Sequence, residues 1–272
     1  MKSPGGIAVR AQNLHKSALE TSELVDKKMD ESIEILGVVI NSTHRNQVLR
    51  KMFVQRRDML HVATVNPEFV ITARSNQEFA KVLAQCTTVA DGWGVVWGLR
   101  LTRGKLVERV SGVELVEEIL KKANERREKV FLLGAREGVA EAAAAQMSKK
   151  YPNARLSWYE GARSVSLEKS EEASMTIAKI NSVEPDYLFV AYGSPWQDMW
   201  IEENRPYLRV RVAMGVGGVL DEWAGVVKAC PAWIDRAGGK WLWRLVNEPK
   251  RWRRILRVFA FAGLVMYHKL ID

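Results

Sequence analysis

Short runs of β-branched and other apolar residues alternate with longer stretches of helical periodicity along most of the chain. The apolar runs predict six strands, at residues 60–65, 87–91, 129–134, 155–160, 186–192 and 209–216. Between them, apolar residues recur at helical spacing and predict helices at 112–127, 137–152, 166–183 and 195–208. This alternation is typical of a sheet whose faces are covered by helices. It predicts an α/β fold, a doubly wound, Rossmann-like and mainly parallel sheet.

The two ends of the chain depart from this alternation. Residues 1–32 contain few apolar residues and no periodicity, so we predict a mobile polar leader there, without a signal peptide. The α/β domain is predicted at 33–228. From 229 to 272 the pattern is helical, with Pro249 in the first turn of the last helix, which predicts a basic C-terminal appendage. No apolar run reaches the length of a membrane span, and we expect a cytoplasmic protein.

The net charge of +9 is concentrated in this appendage. From Arg236 to Asp272 there are nine Lys or Arg and two acidic residues, so this segment carries +7 and the rest of the chain only +2. Such a tail predicts an anionic partner, either a membrane or a nucleic acid. The apolar stretch at 255–267 favours a helix lying at a membrane surface over a nucleic-acid contact. Packing of this stretch on its own domain or in a homo-oligomer interface remains the alternative.

Several sequence features associated with metals and cofactors are absent. The two cysteines form no CxxC pair, the four histidines are scattered, and the chain has neither a D-x-D pair nor a P-loop. We therefore expect no bound metal and no cofactor. A reaction on a nucleotide diphosphate would then need its leaving charge neutralised by arginines and helix N-termini.

Two strand ends on the first half of the sheet carry candidate chemistry. In open α/β sheets, ligands bind beyond the carboxyl ends of the strands. Thr64 and Asn66 lie at the end of the first strand, although a Thr-x-Asn-Pro sequence is also an ordinary helix cap. Asp91 stands at the end of the second strand and is followed by Gly92 and Gly94, so it could be a general base toward a sugar hydroxyl or, equally, a helix cap.

Two glycine-containing strand ends lie on the second half. At Gly193, Pro195 and Gln197, the start of a helix could hold a phosphate, or the segment could be a simple strand-to-helix junction. The segment 215–221 suits a pyrophosphate or nucleotide, or else a tight packing turn. Its candidate residues are Gly215, Gly217, Gly218 and Asp221.

Taken together and in order, these segments resemble the WecG/TagA/CpsF family of bacterial glycosyltransferases. The resemblance covers about residues 34–258, and its motifs lie at 64–68, 90–94, 108–112, 131–134, 193–197, 215–221, 224–225, 231–233, 241–245 and 248–251. It implies a metal-independent, inverting hexosyltransferase on the inner face of the cell membrane. The implied donor is UDP-N-acetylmannosamine, and the implied acceptor is undecaprenyl-diphosphate-linked N-acetylglucosamine in teichoic acid or surface polysaccharide synthesis.

The resemblance also implies roles for individual residues. Asp91 corresponds to the proposed base, and Asp221 to a residue that contacts the nucleoside. The other implied positions are Thr64, Asn66, Arg109 and Gln197 around the reacting groups, Gly134, Gly193, Pro195, Gly215, Gly217 and Gly218 at the nucleotide sugar, and Arg244, Arg251 and Arg254 at the acceptor diphosphate. Apart from the resemblance, Arg253 and Arg257 lie four positions apart and share one stripe of the last helix, and we predict that they contact the membrane surface. The chain departs from the family pattern at Glu114, where an aspartate is usual, and at Ala162, where an aromatic residue is common.

Overall fold

The computed structural model describes residues 32–54, 58–162, 165, 168–249 and 252–271, without the side chain of Arg253. The predicted leader at 1–32 lies outside these residues except for its last position, so it stays a prediction. The strands are β1 (Ile33–Ile35), β2 (Val38–Ile40), β3 (Leu60–Val65), β4 (Thr87–Ala90), β5 (Lys129–Gly134), β6 (Arg155–Tyr159), β7 (Tyr187–Ala191) and β8 (Val212–Gly215).

Helices occupy most of the chain between and after these strands. The helices are α1 (Arg45–Phe53), α2 (Pro67–Ser75), α3 (Gln77–Gln85), α4 (Trp93–Arg103), α5 (Gly112–Arg126), α6 (Val139–Lys150), α7 (Ser170–Val183), α8 (Trp196–Asn204), α9 (Val219–Trp223), α10 (Ala232–Arg236), α11 (Lys240–Asn247) and α12 (Trp252–Ile271). The four helices predicted between the strands are confirmed as α5 to α8. The end of the fourth prediction is a 3₁₀ turn, Arg205–Tyr207.

The six predicted strands are confirmed as β3 to β8 of a single parallel sheet. Their order across the sheet is β4-β3-β8-β7-β5-β6, and every neighbouring pair is parallel. The carboxyl ends of all six strands therefore lie at one edge. Residues that follow β3, β4, β7 and β8 meet there, although they are far apart in sequence.

Helices cover both faces of this sheet, as the doubly wound prediction requires. Along β3, Leu60 and Val62 belong to one buried cluster, whereas Ala63 and Val65 belong to another. The first cluster includes α5, α6 and α9, and the opposite face is covered by α2, α3, α7 and α8. Because successive side chains on a strand point to opposite faces, this alternation gives two separate apolar layers.

The β1–β2 hairpin was not predicted. Each strand is only three residues long, and its turn uses positive φ angles at Leu36 and Gly37. Strands this short leave no readable alternation in the sequence. After the hairpin, Asn41 covers the edge strand β4, since its amide donates to the carbonyl of Cys86 and accepts from the N–H of Thr88. An exposed strand edge is thereby closed.

A buried polar cluster joins β3 to α8. His61 Nδ1 lies 2.6 Å from Glu202 Oε1, and His61 Nε2 lies 3.2 Å from Asp198 Oδ1. Cys86 Sγ is 3.1 Å from the same Nδ1, and Arg205 donates to Glu202. The ligand-type atoms of the histidine, the cysteine and Glu202 all lie within 4.8 Å of one another, so residues that are scattered in the sequence are close neighbours in the fold.

The C-terminal appendage predicted at 229–272 contains α10, α11 and α12. Helix α12 packs on α2 and α4, where Phe261 and Val265 are buried in the same cluster as Ile35 and Val95. A side chain at Gly98 would collide with Ile35 and Phe261, so the glycine allows this close approach. The alternative that the apolar stretch packs on its own domain is thus correct for one face of α12. The domain boundary itself stays a prediction.

Candidate active site at the carboxyl edge of the sheet

A cavity of about 750 Å³ opens at the carboxyl edge of the sheet. Segments after β3, β4, β7 and β8 form its floor, and α10, α11 and α12 line its other side. Most of the candidate residues from the sequence line this one cavity. They are Thr64, Asn66, Asp91, Arg109, Gly193, Gln197, Gly215, Gly217, Gly218, Asp221, Arg244 and Arg254.

Asp91 lies directly after β4, and its backbone N–H donates to the carbonyl of Val65 at 2.7 Å. Its carboxylate accepts a long hydrogen bond of 3.4 Å from the N–H of Gly112. Burial raises the pKa of Asp91, while Lys240, that N–H, Arg109 and Arg244 lower it and leave a net increase. A carboxylate with a raised pKa accepts a proton more readily than an ordinary aspartate. The side chain does not cap α4, which begins without a side-chain cap.

Thr64 is the next-to-last residue of the neighbouring strand β3, and Asn66 follows that strand directly. Asn66 Oδ1 accepts hydrogen bonds from the N–H groups of Glu68 and Phe69, at 2.9 and 3.2 Å, and so caps α2. The cap interpretation is therefore correct for Asn66, although its amide nitrogen makes no hydrogen bond to any other described residue and the side chain lines the cavity. Thr64 is buried, and a Cβ at Gly112 would lie 3.2 Å from its hydroxyl oxygen.

Arg109 connects the body of the protein to the appendage. Its guanidinium donates to both carboxylate oxygens of Asp235 in α10, at 2.9 and 3.2 Å, and to Glu114 at 3.3 Å. The guanidinium also lies over the ring of Trp93, 5.8 Å from its centre. Glu114 is five positions from Arg109 in sequence, whereas Asp235 lies 126 positions away in the chain.

Gln197 lies in the first turn of α8 and is buried. Its Oε1 accepts a hydrogen bond of 3.0 Å from the N–H of Gly217. The side chain lies so close to Gly215 that a Cβ there would overlap it, which explains the glycine at the end of β8. Gly217 has a φ of +55°, in the left-handed region that favours glycine. The predicted glycine segment and the predicted glutamine therefore form one unit.

Three further ion pairs surround the cavity. Arg136 and Asp221 are 2.8 Å apart, and Arg136 is 69% exposed, so this pair can open at little cost. Arg244 contacts Glu222 at 2.5 Å in a more buried position. Arg254 lies 3.6 Å from Glu68. Acidic and basic side chains are thus paired at several places around the cavity, as expected of a site that binds a charged ligand.

The model of the glycosyl transferase WecG/TagA/CpsF family matches residues 33–272, nearly the whole of the described chain. The chain belongs to this family. An enzyme of Bacillus subtilis (strain 168) is 30% identical over 227 residues, which are 83% of this chain and 86% of its own length. Enzymes of Staphylococcus aureus strains MRSA252 and MW2 are 34% identical over 231 residues, 83% of this chain and 87% of their own. All three are named N-acetylglucosaminyldiphosphoundecaprenol N-acetyl-beta-D-mannosaminyltransferase.

Some residues that the family resemblance suggested do not line the cavity of this family member. Gly134 ends β5 with a φ of +94°. A Cβ added there would lie 2.8 Å from the ring of Tyr192, so only glycine leaves room for that ring. Pro195 precedes α8 without lining the cavity. Arg257 was predicted at the membrane surface, not at the cavity; it donates to the hydroxyl of Thr72 on α2 at 3.5 Å, and its membrane role stays a prediction. Arg251 and the side chain of Arg253 lie outside the described residues, so their predicted roles stay predictions.

The structure also adds residues that the sequence interpretation missed. Tyr192, Trp93, Trp196 and Trp241 give the cavity aromatic walls, and the charged additions are Glu68, Arg136, Asp235 and Lys240. Several stand next to predicted residues, since Trp93 follows Asp91-Gly92 and Tyr192 precedes Gly193. For Lys240 and Asp235 the only signal in the sequence was the general one of a charged tail. The residues at the two departures from the family pattern are also close by, because Ala162 lines the cavity and Glu114 contacts Arg109.

Proposed function

We propose that this family member transfers N-acetylmannosamine from a UDP donor to N-acetylglucosamine on undecaprenyl diphosphate, with inversion at the anomeric carbon. The proposal rests on the shared name of the relatives. It is supported by a cavity in which the carboxylate of Asp91, at the end of a strand, lies among several cations. The polymer under construction would be a teichoic acid or another surface polysaccharide.

In the proposed reaction Asp91 accepts the proton of the acceptor hydroxyl. The hydroxyl oxygen attacks the anomeric carbon of the donor sugar, and the bond from that carbon to the UDP oxygen breaks. The leaving diphosphate gains the negative charge. Arginines at the cavity, including Arg109 and Arg244, are suited to neutralise it, because fixed cations stabilise charge that develops in the transition state.

We further propose that no divalent metal takes part. This expectation comes from the missing D-x-D pair and from the number of cations at the cavity. Transfer should continue in excess EDTA at its rate without chelator, measured as UDP release. Loss of transfer in EDTA, restored by magnesium or manganese, would show that a metal carries the role proposed for the arginines.

The lipid-linked acceptor requires the protein to work at a membrane surface, and we propose peripheral attachment through the appendage. No helix in the described part of the chain is long and apolar enough to cross a bilayer. The outer face of α12 nevertheless exposes Leu256, Phe259 and Tyr267, and α11 exposes Val246. Basic residues on an apolar helix are typical of attachment to an anionic bilayer.

A donor panel tests the proposed function. Purified protein is incubated with a soluble lipid-diphosphate N-acetylglucosamine analogue and, in turn, with UDP-N-acetylmannosamine, UDP-N-acetylglucosamine, UDP-glucose and a GDP-sugar. We expect disaccharide product, detected by mass spectrometry, with UDP-N-acetylmannosamine above all others. Transfer from a different donor would change the assigned sugar. A complete lack of transfer and of UDP binding would contradict the glycosyltransferase itself.

A further inference from the structure

The basic side chains at the cavity fall into two groups. Four arginines are paired with carboxylates, namely Arg109 with Asp235, Arg136 with Asp221, Arg244 with Glu222 and Arg254 with Glu68. Lys240 also lines the cavity, but within the described ranges no hydrogen bond or ion pair joins its ammonium group to a carboxylate. Among the described residues that line the cavity, Lys240 is thus the cation that is available without breaking an existing ion pair.

The position of Lys240 is fixed by the way the appendage docks on the body. Trp93 Nε1 donates to the backbone carbonyl of Asp235 at 3.3 Å, and the Asp235 side chain holds Arg109. Gly238, with a φ of +81°, lies against the Trp93 ring, where an added Cβ would be 3.2 Å from the ring carbon. Lys240 follows two residues later as the first residue of α11. It is thereby placed in the same cavity as Asp91.

The electrostatics agree with this placement. Burial raises the pKa of Asp91, and Lys240 is the strongest of the three cations that lower it, ahead of Arg109 and Arg244. The ammonium group and the carboxylate that is proposed to accept the proton line the same cavity. Any substrate group next to Asp91 during transfer is within the field of Lys240.

We infer that Lys240 is a further substrate-binding residue, which holds a diphosphate beside Asp91. This inference rests on the proposed function, in which both donor and acceptor carry a diphosphate. Lysine is a common phosphate ligand and acts as a point charge on a flexible stem. The paired arginines must exchange a carboxylate for the phosphate, whereas Lys240 binds it without that exchange.

Binding measurements on Lys240→Met, Lys240→Arg and Lys228→Ala test the inference. Methionine keeps the length of the side chain and removes its charge, and arginine restores the charge. Lys228 is an exposed lysine directly before the appendage that does not line the cavity, so its variant is the control for loss of a nearby positive charge. Calorimetry gives the Kd of each protein for UDP and, separately, for the soluble lipid-diphosphate N-acetylglucosamine analogue.

We expect Lys240→Met to weaken one of these two ligands on the order of 10-fold or more, because a hydrogen bond to a charged group is lost. The affected ligand identifies whether the donor or the acceptor supplies the diphosphate. Lys240→Arg should recover most of the affinity, and Lys228→Ala should match the wild type. If the wild type transfers sugar and Lys240→Met binds both ligands as tightly as the wild type does, the inference is wrong and the proposed function stands. A wild-type protein that neither binds UDP nor transfers sugar contradicts the proposed function instead.

Discussion

At the scale of single residues, Asp91 shows how position creates a candidate base. The end of β4 brings the carboxylate into the cavity, where burial raises its pKa and nearby cations limit the increase. The resulting group is a stronger proton acceptor than an exposed aspartate. Neither effect depends on the residue type alone, because both come from neighbours that are distant in sequence.

Replacing this carboxylate should remove turnover and leave the fold intact. Asp91→Asn keeps the shape of the side chain but cannot accept a proton, so we expect kcat to fall by about 10² to 10⁴. UDP affinity should be nearly unchanged. Initial rates and calorimetry measure the two effects, with Asp221→Asn as a comparison that should affect UDP binding more than turnover. Near-normal kcat in Asp91→Asn would reject the base assignment.

The same environment predicts a pH dependence. The base must be deprotonated, so kcat/KM should decrease as pH falls through the pKa of Asp91, which lies above the ordinary aspartate value. In Lys240→Met a cation that favours the ionised form is gone, and the acidic limb of the pH–rate profile should move to higher pH. An acidic limb that stays in place would show that Lys240 does not act on this carboxylate.

His61 illustrates a buried charge with a structural role. Burial alone would lower its pKa, but Cys86, Asp198 and Glu202 together raise it well above the ordinary value. Burial raises the pKa of the Cys86 thiol, and the neighbouring His61 lowers it, with a net increase. Burial would raise the pKa of Glu202, yet its hydrogen bonds with His61 and Arg205 lower it to about 2. The imidazolium thus joins β3 to α8, the helix that carries Gln197.

Removal of this cation should destabilise the protein. In His61→Gln two carboxylates lose a buried partner, and we expect a loss of about 3 to 5 kcal/mol in the free energy of unfolding. His44→Gln is the control, since His44 pairs with Glu108 in an exposed position and should cost less than about 1 kcal/mol. Denaturant unfolding measures both. A loss in His61→Gln no larger than the control would contradict the charged cluster.

The sign of the pH effect follows from the raised pKa. The stabilisation from His61 is complete below the unfolded-state pKa of about 6.5 and decreases as pH rises through the higher folded-state value. The unfolding free energy of the wild type should therefore decline with pH above about 6.5, and this decline should be absent in His61→Gln.

At the scale of elements, helix α10 fastens the appendage to the body. The pair between Asp235 and Arg109 is the main polar contact of this helix with the sheet edge, supported by the hydrogen bond from Trp93. Helix α11 follows within a few residues and brings Lys240 and Arg244 to the cavity. A short helix with no buried residue of its own thus controls where two cations lie.

Weakening this contact should loosen the appendage. Asp235→Asn removes the charge, so we expect faster limited proteolysis between α9 and α11 and a lower kcat, while the unfolding midpoint changes little. Glu118→Gln breaks a similar pair with Arg45 on the body and serves as the control. Unchanged proteolysis in Asp235→Asn would show that the appendage is held by other contacts.

At the scale of the whole molecule, α12 is apolar on two sides. Its inner side packs on α2 and α4 through Phe261 and Val265, so the helix belongs to the fold. Its outer side exposes Leu256 and Phe259 at 56% and 62%, in a segment that carries most of the net positive charge. A surface that is both apolar and basic, next to the cavity, fits an enzyme that receives its acceptor from a bilayer.

Substitutions on the outer side should separate membrane binding from catalysis. Leu256→Ser together with Phe259→Ser should reduce sedimentation with anionic liposomes several-fold, whereas turnover of the soluble acceptor and the unfolding free energy should change little. Met175→Ser on α7 is the control, because Met175 is equally exposed on a different element. Liposome binding that is unaffected by the double substitution would assign membrane attachment to another surface.

The sequence by itself determined the six central strands, the four helices between them and most of the cavity floor. These features depend on local periodicity and on the rule that parallel strands end at one edge, so Thr64, Asp91, Gln197 and Gly215 could be grouped before the fold was known. The motifs in their order also identified the family. The β1–β2 hairpin was missed because three-residue strands carry too little periodicity.

Only the tertiary structure decided how distant charges pair. The contact of Asp235 with Arg109, the placement of Lys240 and Asp91 in one cavity and the cluster around His61 join residues that no spacing in the sequence relates. The two sides of α12 were ambiguous for the same reason, since an apolar stretch does not say which of its faces will be covered. Electrostatic and packing partners are chosen by the three-dimensional path of the chain, and local sequence patterns do not encode that path.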